Sequence, residues 1–185
     1  EDAAHTPGAE INNLKAGNIG HIGCFSFYPT KIITAGEGGM LTTNDDSIAA
    51  YARSYQNRGM DMNLDVESFV IPSRNVRLTE FSALLGRVQL NHLEEFLKKR
   101  RLVAEIYQKK LKDIKDIEVI LPSDLRQSAC WKIPVILNSN LDRSKIIKEL
   151  HAKGIFIDTT YNPPLHLQPV MVDLYNNTEN MLLIS

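Results

Sequence analysis

The sequence is poor in the features that usually sort a protein at a glance. It carries two cysteines, one tryptophan and no apolar run of membrane length. Cys24 and Cys130 stand too far apart for a disulfide framework, and no CxxC or Cys/His spacing suggests zinc, so no metal is expected. Cys24 falls in the apolar run 22–25 and reads as a buried, inert thiol. With no signal-peptide pattern and no spanning segment, the chain is expected in the cytoplasm without a membrane partner. Lys and Arg number 21 against 22 Asp and Glu, a net charge of −1, so no global field draws it to nucleic acid. The basic run 98–101 lies within a helical pattern and reads as a solvated face. Hydrophobic residues make up 43% of the chain, enough for a core in one domain or two small ones.

What is present divides near residue 80. Residues 1–20 read as loop, punctuated by Pro7, Gly8, Gly17 and Gly20. Residues 21–28 and 38–43 read as strands, the first ending at Pro29. Asn44, Asp45 and Asp46 offer N-caps for a helix through Ala49, Ala50 and Ala52, with Gly59 as its C′ residue. Residues 59–75 form a polar, irregular connection with Pro72, long enough to suggest a functional loop. Thr79 then caps a single long helix on which Phe81, Leu84, Leu85, Val88, Phe96, Val103 and Leu111 keep helical spacing. Some thirty residues at 1.5 Å each would reach about 45 Å, enough to join two domains. Strands at 118–121 and 131–137, a helix at 142–153 stopped by Gly154, and a strand at 155–160 suggest a small α+β domain. Pro134 marks an edge or bulge in its strand. The proline-rich segment 161–169 reads as an ordered loop, and residues 182–185 as a strand. The domains are therefore expected at 1–79 and 80–185.

The stretch Ser26-Phe27-Tyr28-Pro29-Thr30-Lys31, with Gly36-Glu37-Gly38-Gly39 soon after, is the most informative. A strand breaks into a loop bearing one lysine, and a glycine-rich turn lets backbone crowd close to it. Partly dried surroundings there favour an uncharged, nucleophilic amine. Upstream stands the carboxylate of Asp2, in Glu1-Asp2-Ala3-Ala4-His5. An acid, a hydroxyl and a lysine in that order are what a pyridoxal 5′-phosphate (PLP) site requires: acid for the pyridinium nitrogen, hydroxyl for the phosphate, amine for the aldehyde carbon. Spacing alone leaves the reading open, because strand–loop–Gly-Gly hairpins are common and most lysines are surface solubilisers.

These residues also resemble a known family. The string 23–39 (GCFSFYPTKIITAGEGG), the opening Glu-Asp-Ala-Ala, the segment 75–80 and the segment 164–169 are similar to the DegT/StrS-type PLP-dependent sugar aminotransferases. The resemblance runs in order along the whole chain. It implies the aspartate-aminotransferase type of fold: an α/β large domain holding the cofactor, of which 1–79 would be the C-terminal portion, then a linking helix and a small α+β C-terminal domain, assembled as homodimers.

Carried over motif by motif, the resemblance makes Lys31 the lysine that condenses with the cofactor and shuttles the proton to and from the substrate carbon. Asp2 becomes the acid at the pyridine nitrogen, His5 a contact to the ring or its 3-oxygen, and Ser26 a phosphate ligand. Asn75 matches an asparagine that reaches the phosphate of the neighbouring subunit's cofactor, and His166 lies in a segment near the substrate entrance. The implied activity moves an amino group, expected from glutamate, onto a keto sugar attached to a nucleotide, in pathways such as polysaccharide biosynthesis. A lysine at 31 argues against the related dehydratases, in which histidine replaces it.

Two family features have no counterpart in this sequence: a Gly-Thr loop that grips the phosphate, and an aromatic from the same region that packs on the cofactor ring. The chain is accordingly expected to be the lysine half of a longer protein, with its C-terminal domain incomplete and inactive alone. The alternative is a catalytically incomplete fragment that serves as a non-enzymatic interaction or dimerisation module, its first strands exposing apolar surface.

Overall fold

The computed structural model describes residues 1–61, 68–159 and 161–175. They divide into two compact units, Glu1–Ile136 and Leu137–Ser185, each described by itself.

The first unit opens with residues 1–3 lying parallel to a later strand: Asp2 bridges Cys24, the Ala3 N–H donates to the Cys24 carbonyl at 2.9 Å, and the Cys24 N–H to the Glu1 carbonyl at 3.0 Å. A small hairpin follows, β1 (Glu10–Ile11) against β2 (Leu14–Lys15). Its two turn residues, Asn12 and Asn13, both have positive φ (51° and 63°), the type I′ geometry that asparagine tolerates and that matches strand twist. β3 (Gly23–Ser26) then pairs antiparallel with β4 (Gly39–Thr42), with Ser26 opposite Gly39. The strand forms at the apolar aromatic run and ends where the chain approaches Pro29.

Asp45 caps α1 (Asp46–Gln56), its carboxylate accepting the Ser47 and Ile48 N–H groups. The other end differs by one position from expectation. Arg58, at φ 64°, takes the left-handed C′ place, and Gly59 follows it, donating its N–H to the Ser54 carbonyl at 2.8 Å as a Schellman motif requires. The connection after it is held by isolated bridges, Met60 with Phe69 and Asn57 with Asn75. Its residues 62–67 lie outside the described ones.

The long helix expected from Thr79 is two helices, α2 (Glu80–Asn91) and α3 (Leu93–Leu111). Neither glycine nor proline breaks it. His92, at φ −100° and ψ 3°, donates its N–H to the Gln89 and Leu90 carbonyls, while its ring lies 3.4 Å from the Glu95 carboxylate and stacks near Phe96. One residue thus closes α2 and opens α3. After α3 come β5 (Ile117–Val119) and β6 (Val135–Leu137), joined in a two-stranded sheet. β6 starts only after Pro134, which has no N–H to give; the Pro134 carbonyl accepts from Ile120 at 3.0 Å.

Among the described residues, two apolar clusters hold this unit. Leu97 is fully buried among Ala9, Ile32 and Ala129, with Phe96 and Trp131 at the margin. Ala104, Leu125 and Cys130 form the second. The run 98–101 is only half a solvated face. Lys99 pairs with Glu95 at 2.6 Å at the surface, but Arg100 and Arg101 turn inward onto backbone carbonyls of Cys130, Trp131, Ser128 and Gly8. A guanidinium has enough donors to satisfy several carbonyls at once.

In the second unit Asp142 caps α4 (Arg143–Ala152), and Gly154 at φ 76° follows its end. The strand expected at 155–160 does not form among the described residues. There the Ile155 N–H returns to the Leu150 carbonyl, and the Ile157 backbone is engaged by the His151 ring, so the backbone bonds go to the helix end instead of a ladder; residue 160 is not described. The expected loop at 161–169 instead holds a 3-10 turn, Leu165–Leu167, and then α5 (Pro169–Tyr175), whose first residue is a proline, tolerated at N1. The strand expected at 182–185 lies outside the described residues. Among those described, no helix is long and apolar enough to cross a membrane.

Candidate active site

Pairing in a sheet fixes which side chains share a face. Asp2 is the bridge partner of Cys24, and Ser26 stands two residues further along β3. Partners across a ladder and residues i and i+2 along a strand point the same way, so Asp2, Cys24 and Ser26 share one face. That face is open. Asp2 and Cys24 are exposed, which corrects the expectation of a buried thiol: the apolar run 22–25 alternates, and it is Gly23 that is buried.

Asp2 is held by short-range bonds. Its carboxylate accepts the Ala4 N–H at 3.0 Å, and the residue before it is anchored more strongly. The Glu1 carboxylate takes the N–H groups of Gly17 at 2.6 Å and of Ile19 and Gly20 at 3.2 Å. Those donors, Gly17 foremost, hold its pKa below the usual carboxylate range despite the opposing effect of desolvation. Nothing local in the sequence marks Glu1, because its partners are backbone amides 16 to 19 positions away.

Lys31 leaves the loop just beyond β3. Its N–H donates to the Tyr28 carbonyl at 3.0 Å, and the next residues, Ile32 and Ile33, are both buried. The lysine is thus nailed down by its successors while its own side chain remains half-buried. The glycines behind it divide their work. Gly38 adopts φ 148°, and a Cβ there would come within 2.5 Å of Leu78. Gly39 lies against the Phe25 carbonyl, 2.7 Å from where a Cβ would be, and pairs with Ser26.

His5 and Lys31 meet on Trp131. The His5 and Trp131 rings stack with centroids 3.8 Å apart and planes 25° off parallel, and the Lys31 Nζ lies 4.7 Å from the same indole centroid. Lys132 Nζ is also 4.7 Å from it. The shielding of one imidazole face, together with the positive charges of Lys31 and Lys132, holds His5 below the ordinary imidazole range; Asp2 pulls the other way. His5 is therefore within electrostatic reach of both the acid and the amine. In the sequence Trp131 is only the first residue of the strand expected at 131–137. Its sole signal there is being the one tryptophan, next to a lysine.

Ser26 contributes a half-buried hydroxyl that accepts the Tyr28 N–H at 3.4 Å. Asn75 is exposed and bridged to Asn57, its carboxamide oxygen accepting from the Arg77 Nε at 3.0 Å. His166 belongs to the second unit, half-buried in the Leu165–Leu167 turn. Among the described residues no group of three His, Cys, Asp or Glu side chains could hold a metal ion.

As a donor set, the open face suits a phosphorylated pyridine aldehyde. It offers a carboxylate and a strand hydroxyl, with the His5 imidazole coupled electrostatically to that carboxylate and to the Lys31 amine beyond the strand's end. The model of the DegT/DnrJ/EryC1/StrS aminotransferase family matches residues 1–185, the whole chain. The chain belongs to this family. Curated relatives include a GDP-perosamine synthase of Caulobacter vibrioides, 38% identical over 173 residues covering 91% of this chain and 46% of the relative. Another is a dTDP-3-amino-3,4,6-trideoxy-alpha-D-glucose transaminase of Micromonospora megalomicea, 33% identical over 90% of this chain and 44% of the relative. Among solved structures, Helicobacter pylori PseC, an aminotransferase of pseudoaminic acid biosynthesis, superimposes with a TM-score of 0.85 at 26% identity, covering 96% of this chain and 48% of that one. The fold is accordingly part of the α/β aminotransferase fold. The chain spans about half the length of the curated relatives it matches.

Proposed function

We propose that this DegT/DnrJ/EryC1/StrS chain carries the lysine side of a PLP-dependent aminotransferase site, acting on a keto sugar linked to a nucleotide with glutamate as amino donor. The observation that carries the reading is one juxtaposition: Asp2 and Ser26 on a single face of the β3 pairing, with Lys31 just beyond the strand's end and His5 in electrostatic reach of both charges. The substrate class is supported by the relatives' names, a GDP-perosamine synthase and a dTDP-amino-sugar transaminase among them.

When bound, PLP supplies an electron sink that stabilises a carbanion at the amine-bearing substrate carbon. In this reading the protein's own groups do the rest. The Lys31 amine would hold the aldehyde carbon, and its Nζ is the group that would carry a proton to and from the substrate carbon. The Asp2 carboxylate would keep the ring nitrogen protonated. Ser26 would give a hydroxyl to the phosphate, and His5 would contact the ring or its 3-oxygen. Asn75, exposed, is assigned to the cofactor phosphate of a second subunit, and His166 to the substrate entrance. The domain division that goes with this reading puts 1–79 in the cofactor-binding domain and 80–185 in the linking helices and C-terminal domain.

A second reading, a non-enzymatic interaction or dimerisation module, is favoured by α2. Phe81 is 88% exposed and Leu84 61%, and with Leu85 and Val88 they follow the spacing of one apolar helix face. Colour separates the two. An enzyme site turns yellow on incubation with PLP and loses the colour on Lys31→Ala, whereas a module without the site stays colourless in both forms.

A further inference from the structure

Trp131 is where distant parts of the first unit converge on the Lys31 loop. Its indole N–H donates to the Thr30 carbonyl at 2.7 Å, across 101 residues of sequence. That carbonyl belongs to the peptide group that leads into Lys31, so the bond fixes the plane from which the lysine departs. The same ring stacks on His5 and lies 4.7 Å from the Lys31 Nζ.

The tryptophan is itself held in place. The Arg100 guanidinium donates to the Trp131 carbonyl at 3.2 Å and the Cys130 carbonyl at 3.4 Å. Cys130 sits at φ 49°, a left-handed conformation uncommon for a residue with a Cβ, and its N–H is tied to the Ser128 Oγ at 3.0 Å. A rare backbone state maintained beside the ring that touches the lysine is the kind of local strain that surrounding bonds over-determine at functional sites.

We propose that Trp131 is a positioning residue for Lys31 and His5: its N–H sets the departure of the lysine from the backbone, and its ring holds the imidazole beside the ammonium. The proposal rests on Lys31 being the amine that takes the cofactor. A lysine has four rotatable side-chain bonds, and condensation with an aldehyde requires most of that freedom to be surrendered. A fixed peptide plane and a π-face that attracts the ammonium narrow the search before the cofactor arrives.

Trp131→Phe tests this, because it keeps a ring against the Ala9–Leu97 cluster but removes the N–H. The 185-residue chain is incubated with PLP, reduced with borohydride and mapped by peptide mass. The yield of labelled Lys31, relative to label on exposed lysines such as Lys98, is expected to fall about two- to tenfold, the worth of one hydrogen bond. A folded Trp131→Phe protein that labels Lys31 as the parent does overturns the proposal.

A second readout needs no cofactor. The His5 ring titrates by NMR against the charges that face it, Lys31, Lys132 and Asp2. In the parent its ring protons carry the upfield shift of a stacked indole and its midpoint lies below the ordinary value. In Trp131→Ala both return toward those of a free imidazole; an unchanged midpoint and shift in a folded Trp131→Ala protein contradict the assignment. Should the parent fail to label Lys31 at all, the aminotransferase reading falls, and the His5 titration still decides whether Trp131 organises this face.

Discussion

Leu97→Ala would test whether the apolar cluster under the Lys31 loop carries the first unit. Leu97 is the one large side chain with no exposure at all among the described residues. It packs with Ala9, Ile32 and Ala129, and its Cδ1 would lie 2.2 Å from a Cβ at Gly8. Truncation removes three buried carbons, about 2.4 kcal/mol at roughly 0.8 kcal/mol each. The neighbours are small or fixed and cannot grow into the hole, so a residual cavity raises the total to about 3–4 kcal/mol. Urea unfolding followed by the fluorescence of Trp131, which borders the same cluster, would read this as a lower midpoint at constant slope. Leu102→Ala on the same helix is the control; Leu102 is 57% exposed, and its truncation should cost about 0.5 kcal/mol or less. A loss below about 1 kcal/mol for Leu97→Ala, or equal losses for the two, would refute the packing argument.

Other expectations follow from single residues. His5 is held below the ordinary imidazole value of about 6.5, first by shielding and then by Lys31, so the unfolded chain takes up this proton first. The stability linked to His5 is therefore full above that ordinary value and is lost as pH falls through the depressed one; the fall in urea midpoint from pH 7 to pH 5 should shrink in His5→Gln, and an unaltered fall would contradict it. Gly38→Ala must hold a Cβ at φ 148° near Leu78, and it should destabilise by more than about 1 kcal/mol. Gly36→Ala, at φ 79° with open space around it, should do less harm; the reverse order in thermal melts would show that crowding near Leu78 is not what counts. Thr79→Ala removes the hydroxyl that accepts the Ser82 N–H at 3.2 Å, and should lower stability by about 1 kcal/mol, with Thr79→Ser restoring it.

Local chemistry was the legible part of this protein. Asp45, Thr79 and Asp142 announce three helix starts because an N-cap needs only a side-chain oxygen and the next three residues. β3 and β4 follow from an apolar run, a proline and a glycine turn. The Lys31 string carried the family and the candidate site, because a strand end, a lysine and close-packed glycines lie within twenty positions. What escaped was non-local. The break at His92 has neither glycine nor proline to mark it, and depends on a ring reaching Glu95. Arg100 and Arg101 look like any surface cations until the carbonyls of segment 128–131 fold over them. Cys24 reads as core in an apolar run, yet pairing with Asp2 turns it to the open face. Trp131 touches His5 and Lys31 only because α3 and the turn at Cys130 bring it there.

The central claim concerns the amine at position 31, and chemical capture addresses it most directly. The chain is loaded with PLP, reduced with borohydride, digested and mapped by mass. A single dominant adduct on the peptide containing Lys31, abolished in Lys31→Ala and weakened in Asp2→Asn, is the predicted result. Label spread over surface lysines, or concentrated on any lysine other than Lys31, would contradict it.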